Sequence, residues 1–444
     1  MQILDIIYKV ITTSIAVLMA YQFVYMVIGF LCKAKRFPET DKRHTIGVII
    51  AARNERLVIG NLLESIQRQN YDMSLVRVFV VADNCTDDTA DICRNHGAIV
   101  YERFDSVKAR KGYALEFLFE NIERDYGTQS LDAYVFFDAD NLLHPDYLSE
   151  INKALASGAE IAVGYRNSKN FDHNPISSAY GIHFYRSTMA YHRPRALLNL
   201  PTHIAGTGYV MRSHLLADGW HYTSLTEDTQ FTLSSVARGR HIEFCETAEF
   251  YDEQPYQVKV MIRQRLRWAK GRLFCFFRCC GALLRGIFKK PDGGNRFACY
   301  DMFFYALPKA LLSACLSLLY TAATFIVASI LLGASTPAEE GDLWKTLANL
   351  LEALATSYAG FVLIGALTVI RERRHIKCST PRLILYVLTY PMFDLVGLPI
   401  SVASLFMRVK WKPIKHDDAI RVEELVGAEE ETEKVEEQEL VNQP

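Results

Sequence analysis

Apolar and polar stretches alternate on a long scale in this chain, and several apolar stretches are long enough to cross a membrane. Residues 10–31 carry no charged side chain, and Lys33, Lys35 and Arg36 follow them. A helix needs about 20 apolar residues to span the hydrocarbon core. Because basic residues favour the cytoplasmic end of a span, residues 1–36 are predicted to form a transmembrane helix that ends in the cytoplasm.

Two further apolar runs follow in the C-terminal part of the chain, at about 311–332 and 353–370. Acidic residues lie between these runs and basic residues follow the second: Glu339, Glu340 and Asp342 in the linker, and Arg371, Arg373 and Arg374 after the run. An acidic outer loop and a basic cytoplasmic end are expected if both runs are spans with the orientation set by the first.

Residues 381–407 form another apolar stretch, and its assignment is less direct. Basic residues on both sides place both ends in the cytoplasm, and the run is interrupted by Pro391, Asp394 and Pro399. So short a stretch cannot cross the membrane twice. We expect a re-entrant or interfacial hairpin here, with a further span as the alternative. Residues 307–415 together form the predicted C-terminal membrane region.

Residues 44–256 have the charge density of a soluble domain, and their first part alternates short β-rich runs with helical patterns. The predicted strands are 45–52, 76–81, 98–101 and 133–137, and the predicted helices are 57–68, 87–95 and 111–124. This βαβα order predicts an α/β fold with a mainly parallel sheet covered on both faces. Ligands of such sheets bind at the carboxyl ends of the strands.

Three polar clusters follow strands of the predicted sheet and are therefore expected at one edge. They are Arg53, Asn54 and Glu55 after the first strand, Asp83 after the second, and Asp138 and Asp140 after the fourth. Two alternating carboxylates can share a divalent cation whose shell is completed by substrate phosphates. If Asp138 and Asp140 stood alone, a solvated turn would be the simpler explanation of the pair. Their expected position beside the other two polar clusters favours a metal and phosphate site.

The sequence excludes two other nucleotide-binding classes that share this fold class. A GxGxxG fingerprint should follow the first strand of a dinucleotide enzyme, but residues 51–55 read Ala-Ala-Arg-Asn-Glu. The sequence contains no GxxxxGK[ST] loop, and Gly206-Thr207-Gly208 is too short and too late to replace one. Hydride transfer and P-loop hydrolysis are therefore not expected.

Thr226-Glu227-Asp228 precedes a helical pattern and has two interpretations. Thr226 can cap the helix while the two acids favour its N-terminus. Alternatively, one carboxylate is a general base that deprotonates an attacking hydroxyl. Spacing alone favours the cap.

Gln264-Arg265-Leu266-Arg267-Trp268 lies in an amphipathic stretch at 258–277 and also has two interpretations. One is a basic helix on the membrane surface, with Arg reaching the headgroups and Trp at the interface. The other is an aromatic platform for a sugar beside guanidinium groups for a diphosphate. Without further context the membrane-surface helix is favoured.

Composition and charge add two points. Half of the 444 residues are hydrophobic, which excludes disorder for most of the chain. The ten cysteines have neither a paired framework nor the spacing of a zinc site. They therefore indicate a reducing compartment and not a disulfide scaffold. The net charge of -1 conceals a basic body of +8 and a tail of -9, with 11 acidic and two basic residues after His416. This tail, residues 416–444, is predicted to be disordered, and no nucleic-acid partner is expected.

In their order and spacing, the DAD, TED and QRLRW motifs just described resemble those of membrane-embedded family 2 glycosyltransferases. The similarity is to the processive synthases of cellulose, chitin, hyaluronan and poly-N-acetylglucosamine, and it covers about residues 45–290. It implies a nucleotide-diphospho-sugar transferase domain of the GT-A type at 44–256, flanked by transmembrane helices and by interfacial helices at 257–306. The spans are few beside those of the larger cellulose synthases, so a polymer channel would need three or four helices plus interfacial segments, in one chain or an oligomer.

The resemblance also implies roles for individual positions. Asp138 and Asp140 would bind Mg²⁺ or Mn²⁺, Asp228 beside Glu227 would be the catalytic base, and an acceptor loop would be formed by Gly206 and Thr207. The nucleotide sugar would be contacted by Arg53, Asn54, Glu55, Asp83, Lys111, Asp138, Asp140, Gln264, Arg265, Arg267 and Trp268, the last of which also faces the acceptor.

The implied reaction is inverting transfer from a UDP-sugar to a growing polysaccharide at the inner face of the cell membrane, coupled to export. An alternative within the same chemistry is transfer of one or a few sugars to a lipid, which an interfacial helix would serve equally well. A catalytically silent scaffold or sugar-nucleotide sensor is a third possibility. It predicts loss of catalytic groups, but all the motif residues are present.

Overall fold

The computed structural model describes residues 2–332, 340–409, 413–414, 416 and 418–426. Parts of three predicted features lie outside these residues. They are Glu339 of the acidic linker, Lys410, Lys412 and Lys415 of the basic flank, and residues 427–444 of the tail.

The eight strands of the described residues form a single sheet in the order β3-β2-β1-β4-β7-β6-β8-β5. Strands β1, β2, β3 and β4 run parallel, as do β6 and β8, whereas β7 runs antiparallel to β4 and β6, and β5 antiparallel to β8. The bounds are Ile46–Ala52 (β1), Val76–Asp83 (β2), Ile99–Arg103 (β3), Ala133–Asp138 (β4), Leu142–Leu143 (β5), Ile161–Ser168 (β6), Tyr209–Arg212 (β7) and Glu243–Asp252 (β8).

The α-helices of the described residues lie before, between and after these strands. They are Gln2–Met19 (α1), Tyr21–Leu31 (α2), Ile59–Gln67 (α3), Thr89–Asn95 (α4), Lys111–Asp125 (α5), Tyr147–Ala156 (α6), Pro175–Ser187 (α7), Arg193–Leu197 (α8), Glu227–Ala237 (α9), Val258–Phe288 (α10), Arg296–Ala306 (α11), Lys309–Leu332 (α12), Glu340–Arg371 (α13), Thr380–Leu395 (α14) and Gly397–Phe406 (α15).

The predicted α/β fold with a mainly parallel sheet is confirmed. The four predicted strands are β1 to β4 and the three predicted helices are α3 to α5, each within a few residues of its expected bounds. The sheet is buried on both faces: Val48 and Ile50 belong to one apolar layer, and Ile49 between them to the other. Because successive strand residues point to opposite faces, burial of both faces explains why the central strands β1 and β4 are nearly continuous apolar runs.

Among the residues that the structure describes, three helical stretches are long and apolar enough to cross a membrane: Gln2–Leu31, Leu347–Arg371 and Thr380–Phe406. A fourth candidate is the pair of α11 and Lys309–Thr324, which meets the same test together but is bent by 65° at the break between its helices. The first stretch and α13 correspond to predicted spans, and α12 contains the predicted run at 311–332. The structure therefore contains three candidate membrane-spanning helices, besides the bent pair.

The stretch Thr380–Phe406 is long enough to span, yet α14 also lies along α7 of the sheet domain. The Arg382 Nη1 atom is 2.9 Å from Asp172 Oδ2, and Asp394 pairs with Arg186. These polar contacts at both ends of α14 favour the interfacial arrangement, whereas the length favours the alternative of a further span. Its relation to the membrane stays a prediction.

The beginning of the C-terminal tail differs from the predicted disorder. Within residues 416–426, the side chains of Val422 and Leu425 are buried against Leu142 and Tyr251 of the sheet. Ile420 and Val426 pack against the same cluster. The sequence pattern did not predict this packing, because these few apolar residues are interspersed with charged ones.

Candidate active site

The carboxyl end of β4 carries the predicted pair of aspartates. Asp138 is the last residue of the strand and is partly exposed, whereas Asp140 is buried, with 4% of its surface exposed. Burial raises the pKa of Asp140 to about 7, with a further contribution from Asp252 and against the effect of His416. A carboxylate whose charge is disfavoured in this way gains from a nearby cation.

Lys111 joins the strand end to the predicted acceptor loop. Its ammonium group is hydrogen-bonded to the Asp138 carboxylate and donates to the Gly206 carbonyl at 2.8 Å. Although burial disfavours the ammonium ion, the charges of Asp138, Glu227 and Asp228 outweigh it and raise the pKa of Lys111. The lysine therefore stays positively charged between two groups of carboxylates.

The loop at 206–208 is held close to the same strand end. The Asp138 backbone N–H is within hydrogen-bonding distance of Thr207 Oγ1 at 3.0 Å and of Asn141 Oδ1 at 3.1 Å. Gly206 has a φ of +92°, and a Cβ built there would lie 3.8 Å from Asp228 Oδ2. This left-handed conformation favours glycine, and it brings the loop backbone beside the predicted base.

Glu227 and Asp228 occupy the first turn of α9. Burial, reinforced by Asp228, raises the pKa of Glu227 to about 7, and burial also raises the pKa of Asp228 above 3.8. Ionisation of one of these adjacent buried carboxyl groups disfavours ionisation of the other. Their apparent pKa values therefore belong to the pair and not to either residue alone. Lys111 is hydrogen-bonded to Asp138 and is also close enough to Glu227 and Asp228 for their charges to raise its pKa.

Thr226 stands at the N-cap position of α9 but does not cap it through its side chain. In the described structure its hydroxyl lies 3.5 Å from Cys275 Sγ, and the helix start has no side-chain cap hydrogen bond. A Cβ at Gly271 would come within 2.6 Å of the Thr226 side chain, so the glycine allows α10 to approach this turn closely. The side-chain cap expected from the spacing is therefore absent, and the threonine packs against the helix that carries QRLRW. The two acids do lie in the first turn of α9, as that interpretation expected.

The QRLRW residues point to different neighbours along α10. Arg267 donates to the Leu225 carbonyl at 3.2 Å, directly before the TED turn. The Arg265 guanidinium is hydrogen-bonded to the Phe393 carbonyl and lies 3.9 Å from the centre of that ring. The structure thus brings Arg267 to the predicted base and Arg265 to α14.

Two further members of the motif, Trp268 and Gln264, are in contrasting settings. Trp268 packs edge-on to Tyr180, with ring centres 5.9 Å apart, and to Phe184, with ring centres 6.3 Å apart. Gln264 Oε1 is buried, and among the described residues it has no hydrogen-bond partner. An unpaired buried amide oxygen is costly unless a ligand or water reaches it.

The polar residues after β1 and β2 lie at the same sheet edge and are bound into its loops. Asn54, with a φ of +58°, accepts from the Thr86 backbone N–H at 2.7 Å. The Asp83 carboxylate accepts from Arg103 at 2.6 Å, and both side chains are buried. Arg53 is half-buried beside them, and the buried Glu55 side chain faces His416.

Three further residues reach this edge that sequence reasoning did not select. Asn141 donates to Asp252 Oδ1 at 2.7 Å, Lys169 donates to the Asp140 carbonyl at 3.0 Å, and His416 Nδ1 lies 3.0 Å from Glu55 Oε2. Asn141 could have been found from its place directly after the aspartate pair. The other two carry no local signal, because only the fold brings them there.

The two aspartates could supply part of the coordination shell of a divalent cation. Carboxylate oxygens are the ligands that Mg²⁺ and Mn²⁺ accept, and Asp140 is in a setting that disfavours its uncompensated charge. Within the residues that the structure describes, no set of three or more His, Cys, Asp or Glu side chains is arranged to hold a metal ion. Phosphate oxygens and water would therefore have to complete the shell, as is usual for Mg²⁺.

This sheet, with polar groups collected at the carboxyl ends of its strands, has the GT-A-like fold of glycosyltransferases. Residues 43–271 match the family model described as "Glycosyltransferase like family 2", which is more than half of the chain. The chain therefore belongs to glycosyltransferase family 2 and is a transferase.

Two curated proteins are similar in sequence. The "Probable glycosyltransferase YdaM" of Bacillus subtilis (strain 168) is 26% identical over 275 residues, which is 59% of this chain and 61% of that protein. The "Low-salt glycan biosynthesis hexosyltransferase Agl6" of Haloferax volcanii is 31% identical over 128 residues, which is 29% of each protein. The alignments thus cover about three fifths of the first relative and under a third of the second.

One solved structure shares the fold over most of both chains. It is the mannosyltransferase PcManGT from Pyrobaculum calidifontis in complex with GDP-Man and Mn²⁺, with a TM-score of 0.54 and 17% identity, covering 84% of this chain and 98% of that one. At this identity the similarity concerns the fold.

Proposed function

We propose that this protein is an inverting membrane glycosyltransferase that transfers a sugar from a UDP-sugar to a growing polysaccharide at the cytoplasmic face of the cell membrane, coupled to export. The observation that supports it most is the position of Lys111. This lysine contacts Asp138 and Gly206, and it lies within the electrostatic reach of Glu227 and Asp228. The residues predicted to bind the donor, to form the acceptor loop and to act as the base thus all lie around the ammonium group of Lys111.

On the donor side, Asp138 and Asp140 would hold Mg²⁺ or Mn²⁺, which when bound stabilises the negative charge of the leaving diphosphate. Lys111 supplies a fixed positive charge beside Asp138 and orients this carboxylate. A preorganised charge aimed at a group that becomes more negative in the transition state lowers the barrier.

On the acceptor side, Asp228 is the base. It takes the proton of the acceptor hydroxyl as that oxygen bonds to the anomeric carbon, while the bond from this carbon to the diphosphate oxygen breaks and UDP leaves. Attack from the side opposite to the leaving group inverts the anomeric centre. Burial raises the pKa of Asp228, which makes its carboxylate a stronger base than that of an ordinary aspartate.

The proposed orientation places the sheet domain in the cytoplasm. Arg371, at the end of α13, donates to the Cys32 carbonyl at 2.9 Å and to the Gly29 carbonyl at 3.3 Å. The basic ends of two candidate spans therefore lie together, on the side where the chain enters the sheet domain. Basic residues at span ends favour the cytoplasmic side.

A panel of nucleotide sugars tests the proposal with the full chain in lipid nanodiscs. UDP-glucose, UDP-N-acetylglucosamine, UDP-glucuronate and GDP-mannose are each supplied with Mg²⁺ or Mn²⁺, and nucleotide release is measured. We expect release from one UDP-sugar that stops when the cation is chelated, and a ladder of glycan products in the mass spectrum. Release from GDP-mannose alone would show that the UDP assignment is wrong.

The second candidate is a glycosyltransferase that makes a glycolipid. The exposed apolar residues Val258, Ile262 and Phe274 on the helix that carries QRLRW favour it, because they would place a lipid acceptor near the motif. A single product that partitions into chloroform, in place of a ladder, would establish this candidate over the polymerase.

A further inference from the structure

The chain returns to the sheet domain after its last candidate span. Residues 416 and 418–426, here called the C-terminal strap, lie across the edge that carries Asp140 and Glu55. Asn61 on α3 donates to the carbonyls of Ala419 at 2.8 Å and Ile420 at 3.1 Å. These contacts fix the backbone of the strap relative to the domain.

The far end of the strap is held by an apolar anchor. Val422 and Leu425 are 7% and 5% exposed and pack with Leu142 and Tyr251, which are fully buried. Leu142 lies two residues after Asp140, and Tyr251 is the neighbour of Asp252 in β8. The anchor therefore rests on the same short pairing of β5 with β8 that borders the aspartate pair.

The near end of the strap places an imidazole between two carboxylates. His416 Nδ1 lies 3.0 and 3.2 Å from the two Glu55 carboxylate oxygens, and its Nε2 lies 3.8 Å from Asp140 Oδ2. Glu55 belongs to the predicted nucleoside pocket and Asp140 to the predicted metal pair. One side chain thus links two parts of the proposed donor site that lie 85 residues apart in sequence.

The backbone beside His416 is tied to the same cluster. Lys169 donates to the carbonyls of both Asp140 and Asp418, at 3.0 and 3.1 Å. The Asp418 backbone N–H donates to Glu253 at 3.3 Å. Contacts with backbone atoms set the position of the strap without depending on the side chain of Asp418.

We propose that the C-terminal strap is a structural part of the donor site, in which His416 positions Glu55 and Asp140 and the apolar anchor holds His416 in place. This inference rests on the proposed function, since it assigns the site to a nucleotide sugar. The anchor acts at a distance, because Leu425 touches neither carboxylate. It sets the fraction of molecules in which the donor site is complete.

The expected effect follows from population arithmetic. If loss of the anchor leaves the strap docked in one molecule of ten, the apparent Kd of the donor rises about tenfold. The chemical step in molecules with a docked strap is unaffected. The KM for the donor should therefore rise while kcat, measured at saturating donor, stays near that of the wild type.

The test compares Leu425→Ala with His416→Ala in the full chain in nanodiscs, by calorimetric binding of UDP in the presence of Mn²⁺. We expect each variant to bind UDP about tenfold more weakly and the double variant to bind no more weakly than either, because both changes act through one interaction. Leu425→Met should restore binding, since it keeps most of the buried volume. Glu424→Ala is the matched control, because Glu424 is exposed on the same turn and should leave binding unchanged.

The outcomes separate the inference from the proposed function. If the wild type binds UDP and both single variants bind it equally well, the strap is not part of the donor site. If the losses of the two variants add fully, the anchor does not act through His416 and the positioning role is wrong. If the wild type itself binds no UDP, the proposed function fails and the inference falls with it.

Discussion

At the scale of single residues, the surroundings of Lys111 determine what the neighbouring acids can do. A lysine held between Asp138 on one side and the Glu227–Asp228 pair on the other stabilises negative charge at both. The pKa of Asp228 is nevertheless raised, because burial outweighs the positive charges of Lys111 and Arg267. A carboxylate that is reluctant to ionise is a stronger base once it has lost its proton.

Asp228→Asn tests the base directly. Asparagine keeps the shape of the side chain but cannot accept the proton, so turnover should fall by about 10² to 10⁴-fold. Binding of UDP with Mn²⁺ should remain, because Asp228 does not belong to the predicted metal pair. Asp140→Asn serves as the contrast and should weaken UDP binding. Near-normal turnover of Asp228→Asn would remove the base assignment.

The pH dependence of kcat should report the same carboxyl pair. Burial raises the pKa of Asp228 above its ordinary value of 3.8 and that of Glu227 to about 7. The base must be ionised, so kcat should rise with pH through the raised pKa and fall as the pH drops below it. A profile of kcat measured at saturating donor should show this acid limb at a pH above 3.8. A rate that stays level down to the pH range of an ordinary aspartate would contradict it.

At the scale of elements, α10 is the helix on which the site and the membrane region meet. Its 31 residues run from Val258 to the exposed Phe288, and its middle part packs against the TED turn. Close approach at Gly271 brings it against α9, and Lys270 donates to the Ser404 carbonyl of α15 at 2.8 Å. Neighbouring residues of α10 therefore contact the last C-terminal helix and the turn that carries the predicted base.

Arg265→Ala should affect the packing of α10 on α14 more than donor binding. The substitution removes the guanidinium, and with it the hydrogen bond to the Phe393 carbonyl and the contact with the Phe393 ring. A hydrogen bond that involves a charged group contributes about 1.5–3 kcal/mol. Thermal unfolding of the protein in detergent should show a lower Tm. The control is Arg278→Ala, which removes an exposed arginine of the same helix and should leave Tm unchanged. Loss of UDP binding by Arg265→Ala at unchanged Tm would return this residue to the donor site.

At the scale of the whole molecule, buried ion pairs join the N-terminal helices to the sheet domain. Arg195 of α8 pairs with Asp301 of α11 at 2.7 Å, and both are buried. Asp301 also accepts from Tyr21 at 2.9 Å and from Tyr25 at 3.2 Å, both on α2. Every oxygen of this carboxylate is thus paired, which is the condition under which a buried charge is tolerated.

Asp301→Asn should destabilise the whole assembly. Removing the negative charge leaves Arg195 buried without its counter-ion, which costs about 3–5 kcal/mol. The measurement is thermal unfolding in detergent, where Tm should fall and cleavage by protease near α2 should increase. Asp91→Asn is the matched control, because Asp91 and its partner Arg94 are both exposed and the pair contributes little. Equal stability of the two variants would show that the buried pair does not hold α2 to the domain.

The sequence predicted strands β1 to β4 well and strands β5 to β8 not at all. Strands β1 and β4 are nearly continuous apolar runs because both faces of the sheet are buried there, and this pattern is visible in the residues themselves. Strand β7 has four residues and β5 has two, and such short strands are specified by pairing with neighbours rather than by their own composition.

The sequence by itself determined the chemistry available to this protein, and the tertiary structure decided which groups work together. The aspartate pair, the TED acids and the QRLRW motif are local patterns, since strand ends and helix starts fix them within a few residues. The separate positions of Arg265 and Arg267, and the approach of His416 to Glu55 over 361 residues, depend on packing. Contacts between residues so far apart have no local signature, because their energy arises only once the intervening elements have folded.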